Sequence, residues 1–150
     1  MNVLGISAGF HDAGVSFISD DKILFAAHSE RYSKVKHDSE LNTKILSDCI
    51  SQFGMPDEIA YYERPWVKRT RQLYAGQYSD AFNFKSLRTT LKETAPWANL
   101  HKLPIKYHPH HLSHAAAGFQ TSPYDRATVV VIDAIGEWDT ASIWSAEYIN

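Results

Sequence analysis

The stretch NVLGISAGFHDAGVSFISDDKILFAAH, residues 2–28, holds the pattern on which the fold turns. Asn2 to Ser7 is an apolar run that enters Ala8-Gly9-Phe10-His11-Asp12-Ala13-Gly14, a loop with turn residues at both ends. Val15 to Ser19 alternates apolar with small polar residues, as a half-buried strand does. Ser19-Asp20-Asp21-Lys22 then reads as a tight hairpin turn into a third strand, Ile23 to His28. The order is strand, loop, strand, hairpin.

Beyond this opening the period changes. Glu30-Arg31-Tyr32-Ser33-Lys34-Val35-Lys36-His37-Asp38 has no apolar repeat; it reads either as a solvated connection or as a basic platform for an anion, with Lys36 and His37 as the contacts. From Leu41 the spacing predicts a helix that places Ile45, Leu46, Cys49, Ile50 and Phe53 on one face, stopped by Gly54 and Pro56. Cys49 lies on that apolar stripe, which marks it as core rather than as a nucleophile. Ile59 to Tyr62 and Leu103 to Tyr107 are short strand candidates. Between them, Glu63 to Lys92 carries seven Lys/Arg against two Asp/Glu, interleaved with Trp66, Tyr74, Tyr78, Phe82 and Phe84. Basic residues with aromatics can stack on nucleic acid, but the rest of the chain offers no basic surface. A variable insertion covering a sheet edge is the preferred reading.

Composition bounds the function. The 150 residues are 44% hydrophobic and 13% aromatic, enough for a folded core. A formal charge of −2 gives no bias toward nucleic acid or membrane, and one cysteine allows no internal disulfide framework. With no signal peptide and no long apolar run, a cytoplasmic protein without membrane partners is expected.

The chemistry concentrates near the other end. Four histidines fall within seven residues, His108, His110, His111 and His114, in a small-residue run that opens after Pro109 and is compatible with a helix. His110 and His114 are four apart and share a helical face, so both rings can reach one metal ion; His111 and His114 form a competing pair. Solvated rings at a helix start are the plain alternative. Ala127 to Ile132 follows as a buried-type strand ending in Asp133-Ala134-Ile135-Gly136-Glu137-Trp138, with Thr140 to Tyr148 as the antiparallel return. A carboxylate at a strand end is where a site would be built.

The opening order resembles the start of an RNase H-like, actin-like ATPase domain, in which the loop after the first strand holds phosphates through backbone N–H groups, and the order near residue 133 repeats it. The expected fold is therefore α/β, a mixed sheet with flanking helices: a first RNase H-like subdomain over residues 1–125, with residues 63–100 as the insertion, and a truncated start of the second over residues 126–150. Four stretches further resemble the N-terminus of the O-carbamoyltransferase family, the nodulation and antibiotic-tailoring carbamoyltransferases. They are Gly5-Ile6-Ser7 with His11-Asp12-Ala13; Glu30-Arg31-Tyr32-Ser33 with Lys36-His37-Asp38; His110-His111-Leu112-Ser113-His114-Ala115-Ala116; and Asp133-Ala134-Ile135-Gly136-Glu137-Trp138. Ala134 stands where the family usually has glycine, which restricts access to φ > 0, and residues 63–100 show no resemblance.

The resemblance implies a two-part enzyme. A C-terminal domain makes carbamoyl-adenylate from carbamoyl phosphate and ATP, and the actin-like part passes the carbamoyl group to a small-molecule hydroxyl acceptor. On this chain it implies that His110 and His114 bind a divalent metal, Fe2+ first among candidates, and that Asp133, Gly136 and Glu137 line a phosphate loop for the nucleotide. It places His11 and Asp12 near the acceptor hydroxyl, one as general base, and Lys36 and His37 at the acyl or phosphate end. These 150 residues alone are expected to be a catalytically incomplete portion. Two other readings remain: a truncated module that binds a metal or a partner without catalysis, and a fragment of an actin-like sugar or acyl kinase. A reading frame continuing into an adenylate-forming domain would favour the enzyme.

Overall fold

The computed structural model describes residues 1–82 and 85–149; Phe84, named above in the basic stretch, and Asn150 lie outside the described residues. The chain divides into two compact units, Met1–Tyr61 with Lys85–Lys106, and Tyr62–Phe84 with Tyr107–Asn150.

The first unit is built on a five-stranded sheet. The strands are β1 (Asn2–Ser7), β2 (Gly14–Ser19), β3 (Lys22–His28), β4 (Glu58–Tyr61) and β5 (Ile105–Tyr107), in the order β3-β2-β1-β4-β5. β2 runs antiparallel to both β1 and β3, whereas β4 is parallel to β1, so the sheet is mixed and the fold α/β as expected. Gly5 faces Ser16 in the β1–β2 register, and a Cβ there would collide with the Ser16 hydroxyl. The charged connection is not wholly a loop: Glu30–Ser33 winds one helical turn, α1, ended by Lys34 in the left-handed region (φ 63°).

Helix α2 (Thr43–Phe53) starts where the Asn42 side chain accepts the Lys44 N–H at 2.8 Å, and Gly54 ends it at φ 83°. It buries Ile45, Leu46 and Cys49, and Phe53 stacks on Phe17 of β2 at 5.7 Å between ring centres. Leu4, Ile6, Val15, Phe17, Ile59 and Tyr61 supply the buried sheet residues. Each such large apolar side chain removed from water is worth about 1.5–3 kcal/mol, which is what holds helix to sheet.

In the second unit, α3 (Pro65–Tyr74) and α4 (Tyr78–Phe82) occupy the first part of the supposed insertion; its later part supplies α5 (Leu87–Thr94) to the first unit, capped by the Ser86 hydroxyl. α6 (His110–Gln120) packs on a hairpin of β6 (Arg126–Gly136) and β7 (Asp139–Glu147), burying His111, Ala115, Phe119 and Val131. The sequence read Ala127 to Ile132 as a buried-type strand. The period of two instead sends Val130, Ile132 and, from β7, Ile143 to the face away from α6, where Ile132 is 82% exposed. Among the described residues no helix is long and apolar enough to cross a membrane.

Candidate metal centre

Pro109 fixes the backbone at the start of α6, and His110 follows as its first residue. Four residues on, His114 lies one turn above it, and the two Nε2 atoms are 3.1 Å apart. Asp133 joins them from β6. Its position falls in the irregular stretch between Ile132 and Gly136, where strand pairing is interrupted and a side chain can be re-aimed. Asp133 Oδ2 reaches His110 Nε2 at 2.9 Å while Oδ1 accepts the Ala134 N–H at 2.7 Å. One ligand atom from each of His110, His114 and Asp133 lies within 4.8 Å of the others. Burial alone would raise the Asp133 carboxyl, but the Ala134 N–H, His110 and His114 outweigh it and hold the group below the usual carboxylate range. Two imidazole nitrogens and one carboxylate oxygen form a donor set that suits Fe2+ or Zn2+ and leaves positions open for other ligands.

The His110 ring is closely seated. Tyr62 meets it edge-on at 5.5 Å, and an added Cβ on Gly136 would overlap the ring. Ala134 needs no glycine, because the left-handed backbone of this loop falls at Glu137 (φ 52°) instead. Glu137, expected to line a phosphate loop, is 5% exposed and turned to Arg64. Its carboxylate accepts the Arg64 backbone N–H at 2.7 Å, Nη2 at 2.6 Å and Nε at 3.1 Å. That bond ties the hairpin end to the start of α3. His111 is separated from His110 and His114 by its position on the helix: its Nδ1 pairs with the Ser142 hydroxyl at 2.7 Å, which also accepts the Trp144 indole N–H at 2.7 Å.

A second cluster stands in the first unit. Asp12 Oδ2 takes His11 Nδ1 at 2.9 Å and Oδ1 takes His37 Nδ1 at 3.1 Å, so one carboxylate orients two imidazoles. The loop and the connection are stitched by Gly9 N–H to Ser39 O at 2.9 Å and Ala13 N–H to Asp38 O at 2.7 Å. Asp12 (φ 48°) and His37 (φ 56°) both hold left-handed backbone, a conformation that other contacts must maintain in a non-glycine residue. The His37 hydrogen bond, helped by His11, lowers the Asp12 pKa against a smaller opposing effect of burial. Lys36 is exposed beside His37.

The structure thus brings His110, His114 and Asp133 together in one unit and His11, Asp12 and His37 in the other. Sequence reasoning missed Glu63, Arg64 and Lys68, whose partners lie around this centre; no local pattern marks them, because Arg64 pairs with Glu137, 73 residues on.

A family model described as carbamoyltransferase N-terminus matches residues 60–149. The chain belongs to the carbamoyltransferase N-terminus family. The match runs through residues 63–100, where the sequence showed no resemblance. Among similar proteins, an uncharacterised protein of Synechocystis is 32% identical over 97% of the chain and 27% of its own length. The nodulation protein NolNO of Sinorhizobium fredii is 26% identical over 85% of the chain and 20% of its length. An uncharacterised Methanocaldococcus jannaschii protein is 30% identical over 90% of the chain and 22% of its length. The chain therefore spans between 20% and 27% of the length of these relatives.

Proposed function

We propose that this carbamoyltransferase N-terminus is part of an ATP- and carbamoyl-phosphate-dependent O-carbamoyltransferase with an actin-like fold, moving a carbamoyl group from carbamoyl-adenylate to the hydroxyl of a small-molecule acceptor. The observation that carries the reading is the convergence of His110 Nε2, His114 Nε2 and an Asp133 carboxylate oxygen in a chain of this family. A divalent cation held there, Fe2+ first among candidates, supplies Lewis-acid polarisation of a phosphate or carbonyl oxygen. A carbamoyl carbon is a poor electrophile because its nitrogen donates into the carbonyl, so activation as a mixed anhydride and charge stabilisation are both needed.

The chain's own residues then divide the remaining tasks. With Nδ1–H donated to Asp12, His11 keeps Nε2 as its acceptor nitrogen, placed to take the proton of the acceptor hydroxyl. The new C–O bond forms at the carbonyl carbon as the C–O bond to phosphate breaks, and AMP leaves with the electron pair. Lys36 offers positive charge, and Lys36 and His37 N–H donors, to the acyl or phosphate end of the adenylate. Glu137 and Gly136 act by shape: Glu137 anchors the loop to Arg64, Gly136 lets it pass under the His110 ring, and with Asp133 they would line a loop for the nucleotide phosphate.

The test is transfer of label from [14C]carbamoyl phosphate, with ATP, to a panel of sugar and other small hydroxyl acceptors by the protein in its full reading frame. Expected is AMP release with acid-stable label in one acceptor class, lost in His110→Ala/His114→Ala while carbamoyl-adenylate still forms. Undiminished transfer by the double variant would overturn the assignment of the centre.

A further inference from the structure

Glu63 has no part in the chemistry above, yet it is among the few buried charged residues, at 5% exposure. It sits two residues before α3, and its carboxylate takes the Lys68 ammonium at 3.1 and 3.2 Å. The same carboxylate faces the metal centre from behind: Oε2 lies 4.0 Å from His110 Nδ1. That nitrogen is buried and makes no hydrogen bond. His110 therefore presents Nε2 to His114 and Asp133 while its other nitrogen points, unpartnered, at a buried carboxylate.

An imidazole can ligate a metal through Nε2 only if Nδ1 carries the proton, and the partner of that N–H decides the tautomer and the ring's angle. We propose that Glu63 is the positioning residue of the centre, accepting the His110 Nδ1–H and holding the Nε2 lone pair toward the cation, with Lys68 fixing the carboxylate from its far side. The inference rests on the reading of His110, His114 and Asp133 as a metal site. Closing the 4.0 Å gap by about 1.2 Å gives the ~2.8 Å of a charge-assisted hydrogen bond. Ligation at Nε2 favours that closure, because it makes the opposite N–H more acidic. The ring itself is confined, with Tyr62 edge-on at 5.5 Å and Gly136 against it, so the closure falls to the Glu63 side chain. Lys68 cannot substitute for Glu63: an ammonium has donors only, and the His110 Nδ1–H needs an acceptor.

The experiment uses the whole chain with Co2+ for affinity and Zn2+ for NMR. Wild type, Glu63→Gln, Glu63→Ala and His110→Ala are titrated with Co2+, and the imidazole N–H protons are followed in the Zn2+ form. Expected is a downfield His110 Nδ1–H protected from exchange in wild type, absent or fast-exchanging in Glu63→Ala, with Co2+ affinity down about 10–100-fold. Glu63→Gln, nearly isosteric, guards against a folding defect; because its amide can also donate to Nδ1, it is expected to lose affinity by about 10-fold, toward the lower end of that range. Wild-type affinity and an unchanged Nδ1–H signal in both Glu63 variants, with binding still lost in His110→Ala, would overturn the positioning role alone. Absence of wild-type binding would overturn the metal site and the inference with it.

Discussion

Gly136→Ala is a one-carbon change with a large expected effect. A Cβ on that backbone would fall among the His110 ring atoms, with Cγ and Nε2 at 3.0 Å and Cδ2 closer still. Ordinary carbon contacts are about 3.5–4.0 Å, so the ring must retreat by about 1 Å or more. Metal–ligand distances tolerate only about 0.2 Å, so the displaced Nε2 no longer meets the geometry set by His114 and Asp133. Overpacking of this kind costs about 1–3 kcal/mol, and for a chain of 150 residues each kcal/mol lowers Tm by about 2–4 °C. The expected drop is therefore about 2–12 °C without metal, followed in thermal melts by circular dichroism. Added Co2+ should raise the wild-type Tm and leave the variant's nearly unmoved. Gly118→Ala is the control: it lies within α6 with nothing within 4 Å of an added Cβ, so it should stabilise by about 0.5–1 kcal/mol and leave metal binding intact. Equal Tm and equal metal response in wild type and Gly136→Ala would refute the placement of His110 against that glycine.

Three further outcomes are expected. Glu137→Ala removes the acceptor of the Arg64 backbone N–H and guanidinium; because Arg64 is 37% exposed and can be rehydrated, the loss should be about 1–3 kcal/mol in urea unfolding, and an unchanged midpoint would contradict the anchoring role. Cys49 is 0% exposed and its thiol is pushed up to about 11 by burial, so the native chain should resist a disulfide-exchange reagent at pH 8 and react promptly once unfolded; fast native reaction would place it outside the core. Asp12 has a lowered folded pKa, so its contribution is present above the unfolded value of about 3.9 and is lost as pH falls through the folded value. Carboxyl 13C titration should show that lowered midpoint moving up in His37→Ala, and no movement would mean that His37 is not its cause.

What the sequence disclosed was local. The opening strands were legible because alternation and the Asp20-Asp21 turn are read from neighbours, and α2 because its apolar residues recur at helical spacing and Gly54 stops them. His110 with His114 was legible as a pair for the same reason. Spacing alone could not choose between that pair and His111 with His114; burial of His111 against Ser142 decides its surroundings, and Ser142 is 31 residues away. Glu63, Arg64 and Lys68 were read only as part of a basic, aromatic-rich insertion because the meaning of Arg64 depends on Glu137, 73 residues on. Asp133 was singled out from its place at a strand end, but its approach to His110 depends on the interrupted pairing after Ile132, which no local pattern announces.

The most direct measurement is anaerobic Fe2+ and Co2+ titration of the chain beside His110→Ala/His114→Ala and Asp133→Asn. The account predicts one metal ion per chain, absent from the double variant and weakly held by Asp133→Asn. The same stoichiometry and affinity in all three proteins would contradict it.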